Sequence, residues 1–288
     1  MPELPEVETI KRYLQRAIVG KTIIGVEILS KKQFPDNPKE VIGVKIISIA
    51  RRGKNLIINL SNNKSLLIHL KLTGQLVVTQ KNPDRATRVI VSFNQGKLFF
   101  NDLRKFGWMK IVKSSELELT KLGPEPFWPD FTNEYLKQVF SKTTKPIKLV
   151  LLDQEKIAGI GNIYANDALW EAEIYPERPA KNLRPMEIKK LREAIILVLK
   201  EGILYEGSSA ADGAYIKPDT SPGSYQKHFR VYQKDGEKCQ KCGTIIKRIN
   251  LGGRGTFFCP SCQTPSLNTK YGNVAQSDNR RDAGKARN

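Results

Sequence analysis

Four cysteines, all between residues 239 and 262, constrain this chain more than any other feature. They form two close pairs, Cys239-x2-Cys242 and Cys259-x2-Cys262, with sixteen residues between the pairs. Two Cys-x2-Cys pairs let four thiolates converge tetrahedrally on one Zn²⁺. Two disulfides are the alternative, and a reducing cytosol disfavours them. Four cysteine ligands leave the metal no open position, so the expected role of the one zinc ion is structural. Only two histidines occur, His69 and His228, which argues against a histidine-based catalytic zinc.

The charge points to a partner. Lys and Arg number 48 against 29 Asp and Glu, a net charge of +19, and the natural counterpart of such an excess is a polyanion. A membrane surface would ask for a basic amphipathic helix, and none is evident. No apolar run reaches spanning length, and the first residues lack the charged-then-apolar layout of a signal peptide. The sequence therefore predicts a cytoplasmic, nucleic-acid-binding protein. At 288 residues it is long enough for two domains with their own cores.

A second constraint lies at the start, Met1-Pro2-Glu3-Leu4-Pro5-Glu6. Removal of Met1 would leave the Pro2 nitrogen as the terminal amine. An α-amino group has a reference pKa of ~7.7–8.0 against ~10.4 for lysine, so near neutrality it offers roughly 300-fold more free base. A secondary amine that adds to an aldehyde-like carbon forms an iminium with no N–H to lose, a strong electron sink for a following elimination. Glu3 and Glu6 supply two carboxylates beside it for proton transfer. Taken alone, the same residues are ordinary punctuation at a helix start.

Apolar periodicity predicts a helix over 6–18. Eight short β-rich runs follow, at 21–29, 41–50, 55–60, 65–70, 75–79, 88–93, 97–101 and 108–112, with hairpin turns at 61–64 and 94–96. Helical periods return at 133–140, 146–152, 163–172 and 185–201. Between the second and third of these helices, Gly159-Ile160-Gly161-Asn162 makes a sharp turn into a helix N-terminus. Such an end offers N–H groups to a phosphate, with Asn162 and Lys156 beside it. Residues 207–225 are rich in Gly, Ser, Asp and Pro and read as a long loop. The polar end of the chain reads as disordered.

The Met1–Thr9 start, Gly159-Ile160-Gly161-Asn162-Ile163-Tyr164, and Gly252-Gly253-Arg254-Gly255-Thr256 leading into Cys259-Pro260-Ser261-Cys262 together resemble the bacterial formamidopyrimidine-DNA glycosylase family. The resemblance implies an α+β, two-domain fold. An N-terminal β-sandwich with an N-terminal helix would be followed by a helical, helix-two-turn-helix domain with a four-cysteine zinc hairpin. The boundaries expected are 1–115 for the catalytic β domain, 116–130 for a linker and 131–234 for the helical DNA-binding domain, whose loop 207–225 would cap the lesion. The zinc finger would span 235–266 and a disordered tail 267–288.

The implied activity is a bifunctional repair enzyme. It would excise oxidised purines through a Schiff base on Pro2 and cleave the abasic site by β,δ-elimination. Its partner would be double-stranded DNA containing damaged bases or abasic sites, met by a monomer in the bacterial cytoplasm and nucleoid, with no membrane. The family's pattern places proton transfer on Glu3, phosphate clamping on Lys54 and Arg254, and phosphate contact on Asn162. Lys156 is placed to add charge nearby, and His69 is a further candidate for DNA contact, though a lone His closing a strand is more often structural. Leu72, Arg104 and Phe106 fall on the trio that fills the hole left by the flipped nucleotide. The sequence departs from the family at Leu72, usually Met, at Asp167, usually Glu, and through 215–220. Two alternatives stand beside this reading: an oxidised-pyrimidine glycosylase of the same superfamily, and a non-catalytic zinc-ribbon protein.

Overall fold

The computed structural model describes residues 1–79, 83–113, 119, 121–209 and 215–265. The expected tail at 267–288 and part of the loop 207–225 lie outside the described residues.

Helix α1 (Leu4–Ile18) comes first. It starts two residues before its apolar stripe predicts, because the Glu6 carboxylate accepts the Glu3 backbone N–H at 2.7 Å and satisfies an otherwise orphaned donor. Eight strands follow, β1 (Ile23–Ile28), β2 (Ile46–Arg52), β3 (Asn55–Leu60), β4 (Lys64–His69), β5 (Gly74–Thr79), β6 (Thr87–Phe93), β7 (Lys97–Asp102) and β8 (Trp108–Lys113). They pair into two antiparallel four-stranded sheets, in the orders β1-β6-β7-β5 and β2-β3-β4-β8. The expected run at 41–50 is shorter as a strand, because Val41–Gly43 turns, with Gly43 at φ +82°.

Alternation along the strands sends one face of each sheet inward. Val89, Val91, Leu98 and Phe100 from one sheet meet Leu56, Ile58, Leu66 and Ile68 from the other in a single apolar core. Val7, Ile10, Leu14 and Ile18 of α1 belong to the same core. Leu4 of α1 instead belongs to a second core, which is helical. Helix α1 thus spans the joint between two packed bodies, and its N-terminus sits at that joint.

The second body comprises α2 (Asn133–Ser141), α3 (Ile147–Leu152), α4 (Asn162–Glu171) and α5 (Pro185–Leu204). The Thr132 hydroxyl caps α2 by accepting the Tyr135 N–H at 3.0 Å. Helix α4 is buried along almost its whole length, Ile163 through Trp170, so it has neighbours on every side. A last hairpin, β9 (Lys247–Leu251) and β10 (Arg254–Phe258), turns at Gly252 and Gly253, both at positive φ. Trp170 of α4 packs with Val231, Cys239, Ile246, Phe257 and Cys259, which fastens the hairpin and its cysteines to the helical body. Among the described residues no helix is long and apolar enough to cross a membrane.

Candidate active site at the domain joint

The site is built where α1 meets the start of α4. The Leu4 backbone N–H donates to the Gly159 carbonyl at 3.0 Å. Gly159 has φ +98°, and a Cβ there would fall 2.6 Å from a Leu4 methyl. A Cβ on Gly161 would fall 2.3 Å from the Glu3 carboxyl carbon. The two glycines are therefore required by the close approach of the chain's own first turn. Glu3 accepts the Ile163 backbone N–H at 2.9 Å. The α4 N-terminus that the sequence offers to a phosphate is thus partly occupied by a carboxylate of the same chain. Glu6 is held as firmly, accepting from the Tyr164 hydroxyl at 2.8 Å and the Ser208 N–H at 2.9 Å.

Burial sets the electrostatics. Glu3 is 2% exposed, and its second oxygen, Oε2, has no hydrogen-bond partner. Desolvation raises its pKa to about 7, with Lys54 opposing the rise and Glu6 adding to it. Lys54 is 7% exposed, and desolvation lowers its pKa to about 8; Glu3 opposes that, while Arg254 and Lys71 add to it. Lys148, which the sequence does not single out, is fully buried with its pKa lowered to about 7 by burial and then by Arg254. Its ammonium donates to the Gly255 carbonyl at 2.9 Å and the Thr256 hydroxyl at 2.7 Å. Lys54 and Lys148 thus both feel the Glu3 carboxyl, and Arg254 lies near enough to lower both lysines, an arrangement suited to an anion with several oxygens.

Lys54 is placed by a clamp that sequence reasoning misses. Glu125, 1% exposed in the Pro-flanked linker, accepts the Gly53 N–H at 2.7 Å and a guanidinium N–H of Arg51 at 2.8 Å. Arg52 donates to the Leu122 and Gly123 carbonyls, both at 2.8 Å. The turn that carries Lys54 is thereby fixed to the linker rather than free in solvent.

Helix α4 also holds the hairpin. The Asn162 side-chain amide donates to the Gly255 carbonyl at 3.1 Å, and Asn166 accepts the Phe257 N–H at 2.8 Å. Asp167 accepts the Val231 and Tyr232 N–H groups at 3.1 and 3.2 Å. The Trp170 indole N–H lies 3.4 Å from the Cys239 sulfur. Arg254 stands exposed at the start of β10, and Lys156 is exposed before the Gly159 turn.

The cysteines converge. All four sulfurs lie within 4.8 Å of one another. Cys239–Cys262 and Cys242–Cys259 are separated by 3.9 and 3.4 Å. Tetrahedral Zn–S bonds of about 2.3 Å place sulfurs about 3.8 Å apart, so the four fit one zinc.

Two surface turns carry the remaining expected residues. Leu72 is half-buried in the turn after β4, and Arg104 and Phe106 are exposed in the turn after β7. Phe106 is 50% exposed, with the Arg104 guanidinium 5.2 Å from its ring centroid. His69 Nδ1 accepts the Lys71 N–H at 3.0 Å. Burial, Lys71 and Lys54 lower its pKa to about 3, so its imidazole is neutral with Nε2 as the donor.

Comparisons with known proteins agree along the chain. Residues 1–109 match the family described as Formamidopyrimidine-DNA glycosylase N-terminal domain. Residues 122–213 match the Formamidopyrimidine-DNA glycosylase H2TH domain, and 236–265 the Zinc finger found in FPG and IleRS. The formamidopyrimidine-DNA glycosylase of Carboxydothermus hydrogenoformans is 41% identical over 270 residues, covering 91% of this chain and 100% of its own. Two solved structures of the Lactococcus lactis protein are each 36% identical to the chain. Its complex with abasic-site DNA gives a TM-score of 0.85 over 91% of this chain and 100% of that one. A variant bound to Fapy-dG-containing DNA gives 0.86 over 92% and 100%.

Proposed function

This chain belongs to the formamidopyrimidine-DNA glycosylase family, and on that premise we propose how its domain joint performs glycosylase and lyase chemistry on damaged double-stranded DNA. The observation that carries the reading is Glu3: a buried carboxyl near neutral pKa, one residue from Pro2, with the buried Lys54 acting on it and Arg254 near Lys54.

With Met1 removed, the Pro2 nitrogen attacks C1′ of a flipped nucleotide. The glycosidic electrons leave with the base, which takes up a proton. The Glu3 carboxyl protonates the ring oxygen, the sugar opens, and the adduct becomes an iminium. A pKa of about 7 lets Glu3 give that proton and later accept one near neutral pH. Loss of a C2′ proton expels the 3′ phosphate, a second elimination expels the 5′ phosphate, and water releases the sugar remnant from Pro2. Lys54, Arg254 and neutral His69 hold the flanking phosphates, with Lys156 and Asn162 nearby. Leu72, Arg104 and Phe106 fill the vacated stack.

Zinc bound by Cys239, Cys242, Cys259 and Cys262 supplies no step; it fixes the hairpin that carries Arg254. The lesions proposed are oxidised purines, as formamidopyrimidines and 8-oxoguanine. The Fapy-dG complex of the Lactococcus lactis relative supports that substrate class. The place of action proposed is the bacterial cytoplasm.

A borohydride trap tests the nucleophile. Protein processed to Pro2 should form a stable adduct with abasic DNA that peptide mapping places on the N-terminus. Blocking the amine by retention of Met1 should abolish the adduct while leaving most DNA binding. An adduct mapped to a lysine would overturn the assignment.

A further inference from the structure

We propose that Asp102 is a positioning residue that joins the Leu72 turn and the Arg104–Phe106 turn into one rigid wedge. The inference rests on the wedge reading given above. Asp102 ends β7, is fully buried, and faces Gly74 across the β5–β7 pair. One carboxylate oxygen accepts the Thr73 hydroxyl at 2.5 Å and the Arg104 N–H at 3.2 Å. The other accepts the Gly107 N–H at 2.6 Å. Thr73 follows Leu72; Arg104 and Gly107 bracket Phe106. All three donors are neutral, so the carboxylate is held by the ends of two loops rather than by a counter-ion.

The surroundings leave these turns few alternatives. A Cβ on Gly74 would meet the Leu70 carbonyl oxygen at 2.4 Å, and one on Gly107 would meet a Phe100 ring carbon at 2.9 Å. Lys71 and Lys105 sit at φ +52° and +56°, a region that side chains other than glycine rarely occupy. Buried Gln33 braces the second turn from its far side, donating to the Lys105 carbonyl at 2.9 Å. Leu103 and Phe106 are 61% and 50% exposed. Apolar side chains on a slack loop would fold back onto the surface. On a braced loop they remain extended, ready to enter a base stack. Asp102 bonds both turns at once, joined there by the Thr73 hydroxyl, which itself accepts the Arg104 N–H at 3.2 Å, so releasing the carboxylate should loosen Leu72 from Arg104 and Phe106.

The test compares Asp102→Asn, Phe106→Ala and their double variant on three substrates: an intact lesion duplex, a duplex whose lesion is already unstacked in a mismatched bubble, and a preformed abasic site. Asp102→Asn should slow excision from the intact duplex by roughly tenfold, a barrier change of about 1.4 kcal/mol. It should act within about threefold of the parent on the bubble and the abasic site, a change under about 0.7 kcal/mol. The double variant should be no slower than the worse single one, because both remove the same wedge. Thr73→Val, which removes the hydroxyl's bonds to Asp102 and to the Arg104 N–H but leaves the carboxylate bonded to the Arg104 and Gly107 N–H groups, should give a smaller defect on the intact duplex alone. It carries the test if Asp102→Asn fails to fold.

Equal losses on all three substrates, or additive losses in the double variant, would overturn the proposal. Normal excision by Asp102→Asn beside slow excision by Phe106→Ala would overturn it while leaving the wedge reading intact. Normal excision by Phe106→Ala would overturn the wedge reading and this inference with it.

Discussion

The Glu3 carboxylate accepts the Ile163 backbone N–H at 2.9 Å, bridging 160 positions of sequence and two packed cores. Leu4 beside it belongs to the helical core and Val7 to the sheet core. The proposed proton-transferring group is thus referenced to both bodies, and the same helix α4 holds the hairpin that carries Arg254. One buried helix sets the relative position of Glu3 and Arg254, the proposed acid and phosphate clamp.

Glu3→Gln should separate stability from activity. Burial raises the folded-state pKa from 4.5 to about 7. Below the unfolded value both states hold the proton and Glu3 brings no penalty. As pH rises from 4.5 through 7 the unfolded chain releases its proton first, so the folded state loses stability. Above pH 7 the loss is complete, on the order of 1–3 kcal/mol. Glutamine keeps the shape and never ionises. At pH 8 the variant should melt higher than the parent, and below pH 4.5 the difference should vanish. Single-turnover excision should fall by a factor on the order of 10² or more. A variant that melts lower at pH 8, or excises normally, would contradict the assignment.

Lys54→Met tests the neighbour. Lys54 is the main cation opposing the rise in Glu3. Its removal should therefore move the Glu3-linked stability transition to higher pH. Lys54 has a lowered folded pKa, so its own penalty is full below about pH 8 and disappears as pH climbs towards 10.5. The variant should lose that alkaline gain and also bind DNA with a shallower salt dependence, as one phosphate contact disappears. Urea melts at a series of pH values, with binding titrations at two salt concentrations, check both.

The zinc module should fail independently of the β-sandwich. Elemental analysis should find one Zn²⁺ per chain, and Cys259→Ser should weaken DNA binding while leaving the sandwich folded. Asn166→Ala leaves the ligands intact but removes the acceptor of the Phe257 N–H, a loss of about 1–3 kcal/mol for a buried donor left unpaired. Zinc content should then stay normal while binding falls. Active protein without zinc would end the structural-metal claim.

Local pattern carried the parts of this architecture that are local. Two Cys-x2-Cys pairs announce their own convergence, and alternating apolar residues between turn signals mark strands from their neighbours alone. The site joins residues far apart in sequence, and no period records that. Gly159-Ile160-Gly161-Asn162 reads as a sharp turn into a helix end open to a phosphate, but the groups packed against its glycines are Leu4 and Glu3. Asn162 reads as a phosphate donor, and its amide also ties down Gly255. Lys148 looks like one more lysine on a short helix; only the packing of the hairpin against α3 shows that its ammonium is buried. Glu125 is hidden for the same reason, since a carboxylate in a Pro-flanked linker ordinarily lies in water.

Phe106→Ala tests base flipping most directly. Extruding a nucleotide costs a few kcal/mol of unstacking and unpairing. An aromatic ring inserted at the step returns ~1–3 kcal/mol by stacking on the base that remains. Phosphate contacts cannot do this, since they act on flipped and stacked DNA almost alike. Phe106 is 50% exposed and stands apart from the sandwich core, so its loss should leave the melting temperature nearly unchanged. Arg104 lies over the ring and would lose its platform as well. Excision from an intact duplex should therefore slow by roughly tenfold or more, at ~1.4 kcal/mol per decade. Cleavage of a preformed abasic site should change far less, because no base has to leave the stack. Both rates and the melting temperature, measured on one protein, decide the matter: equal losses in the two activities with a large drop in melting temperature would make Phe106 a structural residue.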